Sequence, residues 1–267
     1  MTKSEAGRHT YRVTAIMTAL DEEGNVGAAL DDALSAFARL AIDGEILLFD
    51  DGSTDGTGDV VREYIARHAN IRIIRHEKPH GVGGCFWEGV REAQSEIVVW
   101  VPGDAENDCY EIFRYIDLMD HVDIVVPFVY NKEVRSRGRQ LLSKVYKGII
   151  NLSFGMLLNY MNGTVMYRRS ILQNLELKNR GFFYQTELLI KTIRRGYLYA
   201  EVPQAIKPRA EGASKALSLR SFVAVVRGYT GTLLNFHLFD TRDTQLARDS
   251  VTFSRRGEGD PSRRPST

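Results

Sequence analysis

The chain has 267 residues, 43% hydrophobic and 26% charged, the balance of an ordinary globular protein rather than a disordered or fibrous one. A formal net charge of +1 excludes a global field that recruits nucleic acid, so any anion must be held by a local site. Its two cysteines, Cys85 and Cys109, form no CxxC pair or Cys/His cluster, which argues against a disulfide framework or a structural zinc site and fits a reducing, cytoplasmic setting.

After an N-terminal extension (1–10), "YRVTAIMTAL" (11–20) is β-branched and apolar and predicts a first strand. Val26, Leu30, Leu34 and Phe37 then recur at helical spacing. "GEILLFD" (44–50) predicts a short buried strand, "DGSTDGTGDVVREYIARHA" a loop and helix, and "IRIIRHE" (71–77) a third strand. "KPHGVGGCFWEGVREAQ" turns into a helix, and "EIVVWVPGD" (96–104) is a fourth strand ending on an aspartate. A helical "YEIFRYIDLM" leads to a fifth strand, "VDIVVPFV" (122–129). Strands alternating with helices at this spacing imply a largely parallel α/β sheet with helices on both faces.

Beyond residue 130 the pattern changes. Leu141, Leu142, Val145, Ile149 and Leu152 share one helical face, either packing on the domain or, with Arg135, Arg137, Arg139, Lys144 and Lys147, touching lipid headgroups. Residues 135–158 are thus a candidate peripheral membrane contact at the inner face of the membrane. A strand in "GTVMYRRSIL", a helix in "YQTELLIKTIRRG", a late strand in "YLYAEVP" and a C-terminal helix (217–240) follow. Residues 241–267 are polar and aperiodic and are expected to form a disordered tail. No run approaches the ~18–20 apolar residues of a membrane span.

Four stretches carry candidate chemistry. "ILLFDDGSTDGT" (46–57) ends a buried strand on adjacent carboxylates, Asp50 and Asp51, whose repulsion calls for a ligand donor or a cation; Thr54, Asp55 and Thr57 are capping residues. "HGVGG" (80–84) offers glycines before a helix, where a backbone approaches phosphate, although glycine there is also plain turn chemistry. "PGDAEND" places Asp104 at a strand end with Glu106 and Asp108 behind it, hard oxygen donors suited to Mg²⁺ or Mn²⁺. Glu187 is an isolated carboxylate in an apolar run, either a base or a helix-start carboxylate. Lys207, Arg209 and Lys215 surround a Gly-Ala-Ser loop able to close over a diphosphate.

Taken together and in this order, these stretches resemble the family-two glycosyltransferases with the GT-A fold, nearest to the dolichol- or polyprenyl-phosphate mannose and glucose synthase type. The similarity runs over roughly residues 11–216 and implies a single GT-A domain there. It implies a nucleotide-diphosphate-sugar donor, a divalent metal and inverting transfer to a lipid phosphate or a glycan hydroxyl. On the family pattern Asp50 or Asp51 contacts the nucleotide and Asp104 takes the second aspartate of the DxD metal motif, with Glu106 or Asp108 left to supply the other carboxylate and Glu106 taken as the second metal residue. Thr18, Leu20, Glu22, Gly83, Pro102 and Gly103 fall on the donor site, Glu187 on the acceptor side, and Arg209 and Lys215 in the closing loop. Thr18, Leu20 and Asp21 stand where the family usually has Pro, Tyr and Asn, and Pro102 takes the first DxD position.

Two rivals differ in class. A nucleotidyltransferase calls for a basic glycine loop after the first strand, where this chain reads "ALDEEGN". A non-catalytic sugar-nucleotide-binding or scaffold protein accounts for the incomplete DxD, and metal-dependent transfer separates it from an enzyme.

Overall fold

The computed structural model describes residues 10–134, 137–173, 175–206, 219–239 and 246–258. Strand β1 (Arg12–Ala19) is followed by helix α1 (Val26–Leu40), β2 (Asp43–Asp50), α2 (Thr57–Ile65) and β3 (Ile71–Arg75). Each crossover returns the chain parallel to the preceding strand, laying β3-β2-β1 side by side. Helix α1 buries Val26, Ala29, Leu30, Ala33, Ala36 and Phe37 against the sheet. The Phe37 ring lies where a side chain at Gly44 would stand, and it meets Phe113 at 5.1 Å between centroids.

After α3 (Val82–Glu92) the chain crosses to the other side of β1, where β4 (Ile97–Pro102) pairs with it in parallel. Strand order therefore reverses between β1 and β4. In open parallel sheets this is where a crevice opens beyond the carboxyl ends of the strands. The remaining strands are β5 (Ile124–Val129), β6 (Met166–Arg168) and β7 (Tyr199–Gln204), in the full order β3-β2-β1-β4-β6-β5-β7. Only β6 runs antiparallel to its neighbours β4 and β5. The expected α/β sheet is present, and Val13, Ile16, Leu47, Val98 and Val99, all fully buried, show why its strands read as continuous apolar runs.

The helices between and after these strands are α4 (Cys109–Phe113), α5 (Arg137–Phe154), α6 (Ser170–Gln173), α7 (Tyr184–Arg194), α8 (Leu219–Phe239) and α9 (Val251–Glu258). Helix α5 attaches through buried Ile150 and Phe154 and through polar handles, Tyr146 to Thr186 at 2.7 Å and Ser153 to Tyr229 of α8 at 2.8 Å. The face expected to pack on the domain is instead outward, with Leu141, Leu142, Val145, Ile149 and Leu152 all exposed and Leu152 at 89%.

A second difference lies in the expected disordered tail, part of which folds as α9. Asp123, fully buried at the start of β5, accepts from the amides of Val251 (2.8 Å) and Thr252 (3.0 Å) and from the Thr252 hydroxyl, and pairs with Arg168. A remote carboxylate thus serves the helix start as a cap and complements its dipole. Nothing in the local composition of 246–258 signals that partner.

Candidate functional site

The loops at the switch point interlock. Asp21, in left-handed conformation at φ 54°, accepts from the Thr54 amide (2.8 Å), while its own amide donates to Ser53 Oγ (3.0 Å). The Glu22 amide donates to Thr57 Oγ1, and Glu23 exchanges bonds with Asp55 and Gly56. Asp55 accepts from the Thr57 amide at 3.0 Å, so the expected capping chemistry is present. The acidic stretch after β1 is therefore a brace for the "STDGT" turn.

The two adjacent aspartates avoid each other by pointing into different networks. Asp50 is fully buried; it accepts from the Ser53 amide (3.0 Å), and its Oδ2 makes an ion-pair contact with Arg75 at 3.4 Å without a hydrogen bond. Of the two aspartates expected at the nucleotide, Asp50 is thus 0% exposed behind the turn it holds and Asp51 is 5% exposed. Asp51 Oδ1 accepts from His76 Nδ1 and the His80 amide, both at 2.8 Å, and Oδ2 accepts from the Gly81 amide at 2.8 Å. Burial works to raise the Asp51 carboxyl, yet the bonds from His76, His80 and Gly81 outweigh it and hold the group below its ordinary value. The mutual repulsion is thus relieved chiefly by the protein's own donors, the Cys85 thiol among them, with the Asp51 side chain 7% exposed.

The glycine turn packs against residues 179 and 180. Gly81 has φ 81°, and a Cβ there would stand 2.7 Å from the Arg180 carbonyl. The Gly83 amide donates to that same carbonyl at 2.8 Å, and a Cβ at Gly83 would strike the Asn179 carbonyl at 2.7 Å. Gly81 and Gly83 admit residues 179–180 closely, and their own amides are already paired.

That segment, residues 178–183, is held from behind by Glu187, 1% exposed at the start of α7. Its Oε1 accepts from the Lys178 amide (3.1 Å) and Lys191 Nζ (2.5 Å), and its Oε2 from the Asn179 amide (2.9 Å) and Asn179 Nδ2 (2.5 Å). Four donors fill the four lone-pair positions of the carboxylate. In this arrangement all four positions are engaged, and Glu187 acts as a clamp on the 178–179 backbone.

Between this segment and α8 opens a cavity of about 370 Å³, walled by Lys178, Arg180 and Phe182 on one side and Arg227, Gly228 and Thr232 on the other. Its cationic character was missed in the sequence. "LKNRGFF" carries the signal locally, but the opposing wall is supplied some 45 residues later by α8.

On the β4 side, the Gly103 amide donates to the Thr18 carbonyl at 2.9 Å, which sets Pro102 and Gly103 beside the end of β1. Thr18 Oγ1 accepts from Trp100 Nε1 at 3.0 Å, and half-buried Leu20 follows. Glu22 accepts from Asn25 Nδ2 at 2.9 Å at the foot of α1. Half-buried Asp104 turns back to accept the Glu106 amide at 3.1 Å across Ala105 at φ 56°, and Asp108 caps α4 through the Glu111 amide. The donor set of Asp104 and Glu106 fits Mg²⁺ or Mn²⁺ in kind: two carboxylates within one turn, the remaining positions being those that substrate phosphates and water commonly fill. Arg209 and Lys215 lie outside the described residues, as does Arg135. Among the described residues no helix is long and apolar enough to cross a membrane.

Residues 14–176 match the family model described as Glycosyl transferase family 2. The chain is 26% identical over 223 residues to the polyprenol monophosphomannose synthase of Mycolicibacterium smegmatis, covering 78% of this chain and 82% of that protein. It is 28% identical over 138 residues to the cholesterol galactosyltransferase of Borreliella burgdorferi, half of this chain but 37% of that protein. It is 24% identical over 172 residues to the dodecaprenyl-phosphate galacturonate synthase of Rhizobium johnstonii, covering 63% and 51%. In fold it is similar to glucosyl-3-phosphoglycerate synthase from Mycobacterium tuberculosis, with a TM-score of 0.62 for the UDP complex at 23% identity, covering 86% and 80%. The complex of that enzyme with Mn²⁺, UDP-glucose and phosphoglyceric acid gives 0.61 at 22%. The GT-A fold expected from the sequence is the fold observed.

Proposed function

Because this chain belongs to glycosyl transferase family 2, we propose that it moves a sugar from a nucleoside-diphosphate sugar to an anionic acceptor by one inverting displacement. The observation that carries the choice of acceptor is the cavity between Lys178, Arg180 and Arg227, which abuts the glycine turn at the end of the sheet. Three cations around an apolar ring suit a phosphate or carboxylate better than a neutral glycan hydroxyl. The names of two relatives point the same way, being polyprenol-monophosphate and dodecaprenyl-phosphate sugar synthases, and the structural neighbour was solved with phosphoglyceric acid.

An anionic oxygen is already a nucleophile, so the reaction needs no side chain to deprotonate it. That agrees with Glu187 being filled by four donors. The acceptor oxygen forms the new bond at the anomeric carbon as the bond to the diphosphate breaks, and the electron pair leaves with the nucleoside diphosphate. Asp51, whose side chain is 7% exposed, would face a donor group of the nucleotide, and Asp104 with Glu106 would hold the Mg²⁺ or Mn²⁺. The bound ion supplies neutralisation of the charge growing on the leaving diphosphate.

Calorimetric titration of UDP, GDP and TDP, each with Mn²⁺ and with EDTA, tests the donor side. One nucleotide is expected to bind in a metal-dependent way, and Asp104→Asn to weaken that binding at least about tenfold, roughly 1.4 kcal/mol, with an unchanged melting temperature. Metal-dependent binding that survives Asp104→Asn removes the assignment, and failure of all three nucleotides removes the enzyme reading.

The outward row on α5 and the residues just after it support peripheral membrane contact, since Leu152 and Leu157 are 89% and 87% exposed and Lys144 on α5 is exposed as well. Flotation with vesicles containing anionic lipid is expected to carry the wild type and to leave a Leu152→Asp, Leu157→Asp double variant behind. Equal flotation of the two would refute that contact.

A further inference from the structure

The proposed transfer has two charged ends: the Asp104–Glu106 pair after β4, where the diphosphate leaves, and the cavity at Lys178, Arg180 and Arg227, where the acceptor anion is held. The polar side chains that join them are neutral. Strand β6 lies one strand spacing, about 5 Å, from β4, and because it runs antiparallel the chain enters it at the carboxyl edge. The entering segment, residues 159–164, reads Asn-Tyr-Met-Asn-Gly-Thr. It meets Gln185 and Thr186 in the first turn of α7, just after the cavity residue Phe183.

Two rungs tie these segments together. Gln185 Nε2 donates to the Gly163 carbonyl at 3.1 Å. The fully buried Thr186 hydroxyl donates to Asn162 Oδ1 at 3.3 Å and is backed by the Tyr146 hydroxyl at 2.7 Å. A carbonyl only accepts, so the Gly163 contact fixes which end of the Gln185 amide is the NH₂. Its Oε1 is left over. Gln185 is 7% exposed, yet its Oε1 takes no bond from the described residues. Nor is that oxygen sealed: the sealed, unpaired side-chain atoms of the described residues are Asp50 Oδ2, Tyr167 Oη, Arg168 Nε, Ser170 Oγ and Gln204 Nε2. A side chain otherwise buried is thus held with a bare acceptor at the surface. Beside it stands exposed Asn162, whose Nδ2 hydrogens no described residue takes.

We infer that Gln185 and Asn162 read the hydroxyls of the transferred sugar, and that this sugar carries no charge; the inference rests on the transfer reading above. The sugar is bonded to the leaving diphosphate and must also face the acceptor, so it lies between the two charged ends, where this neutral segment runs. A sugar hydroxyl both donates and accepts, giving its hydrogen to Gln185 Oε1 while taking one from Asn162 Nδ2. A hexuronate would set its carboxylate against the Gln185 lone pairs. Gly163 locks the amide, so its NH₂ cannot turn outward to meet that anion, and residues 159–164 and 184–186 hold no cation to receive it.

The test is calorimetry on the full chain with Mn²⁺. Whichever of UDP, GDP and TDP binds is compared with its glucose, galactose and mannose conjugates and with its hexuronate conjugates. The best neutral conjugate is expected to bind at least about tenfold tighter than any hexuronate. Asn162→Ala, at an exposed side chain, should weaken that conjugate about three- to tenfold, the share of one hydrogen bond, and leave the free nucleotide unchanged. Gln185→Met should do the same and narrow the gap between neutral and hexuronate forms. A merely structural role would weaken free nucleotide and conjugate together, and that result overturns the assignment. A hexuronate that binds as tightly as the best neutral conjugate overturns the neutral sugar, and full-strength conjugate binding in both variants overturns the two residues. In those cases the free nucleotide still binds; failure of all three nucleotides is the separate failure of the transfer reading and takes this site with it.

Discussion

Asp51→Ala is expected to lower the melting temperature by about 10 °C and to abolish nucleotide binding in the same protein. The change strips an acceptor from three donors, His76 Nδ1 and the His80 and Gly81 amides. Each buried donor left unmade costs about 1–3 kcal/mol, and water entering near the exposed His80 recovers part of it, so the loss is about 3–5 kcal/mol. For a chain of this size each kcal/mol moves the melting temperature by about 2–4 °C. Asp51→Asn should fall between, since one carbonyl oxygen keeps two bonds while the new NH₂ faces the Gly81 amide. The acid side gives an independent check. The Asp51 carboxyl is held below its ordinary value, so its contribution is complete above the ordinary carboxylate range and is lost as pH falls through the folded value. The wild type should therefore lose stability on acidification more steeply than Asp51→Asn. Parallel acid profiles, or a melting temperature for Asp51→Ala within a degree or two of wild type, would show that the turn does not depend on this carboxylate.

Glu187→Ala is expected to cost about 2–4 kcal/mol. Breaking a buried ion pair from one side costs about 3–5 kcal/mol, and the figure is reduced here because the Lys191 side chain is 26% exposed and can turn to water. The larger consequence is functional. Without the carboxylate, the amides of Lys178 and Asn179 lose their acceptor, and the wall carrying Lys178 and Arg180 loosens beside Gly81 and Gly83. The acceptor KM should rise with the pH dependence of kcat unchanged, and Glu187→Gln, keeping one acceptor oxygen, should recover part of both losses. A general base behaves otherwise: Glu187→Gln would then drop kcat by about 10²–10⁴ with the melting temperature unmoved and the acidic limb of the pH profile gone. That second pattern would return Glu187 to the chemistry.

Much of the frame was legible along the chain because it rests on short-range pattern. The runs at 15–17, 46–49 and 97–101 are apolar without alternation, as strands covered on both faces must be, and the strands at 15–17 and 97–101 flank the reversal of strand order. The roles of the polar residues there were not legible. Asp50 and Asp51 read as a ligand floor because adjacent carboxylates need donors, but composition does not say whether those donors are foreign or come from Arg75, His76, His80 and Gly81. Glu187 read as isolated because Lys178 and Asn179 are backbone donors, invisible to side-chain chemistry. The α5 row has helical period whichever face packs; the choice fell to Ile150 and Phe154, which meet partners on other elements.

By itself the sequence determined the succession of strands and helices, the mostly parallel sheet and the family, since periodicity and ordered motifs are properties of neighbours in the chain. Tertiary structure alone decided which charges are spent and which remain to act. Asp123 gives up its carboxylate to α9 more than 120 residues away, Asp51 to a turn about 30 away, and Glu88 meets His76 and His80 only because α3 folds back beside β3. A buried polar group must find a partner, and which partner it finds is settled by packing across the molecule rather than by its place in the chain.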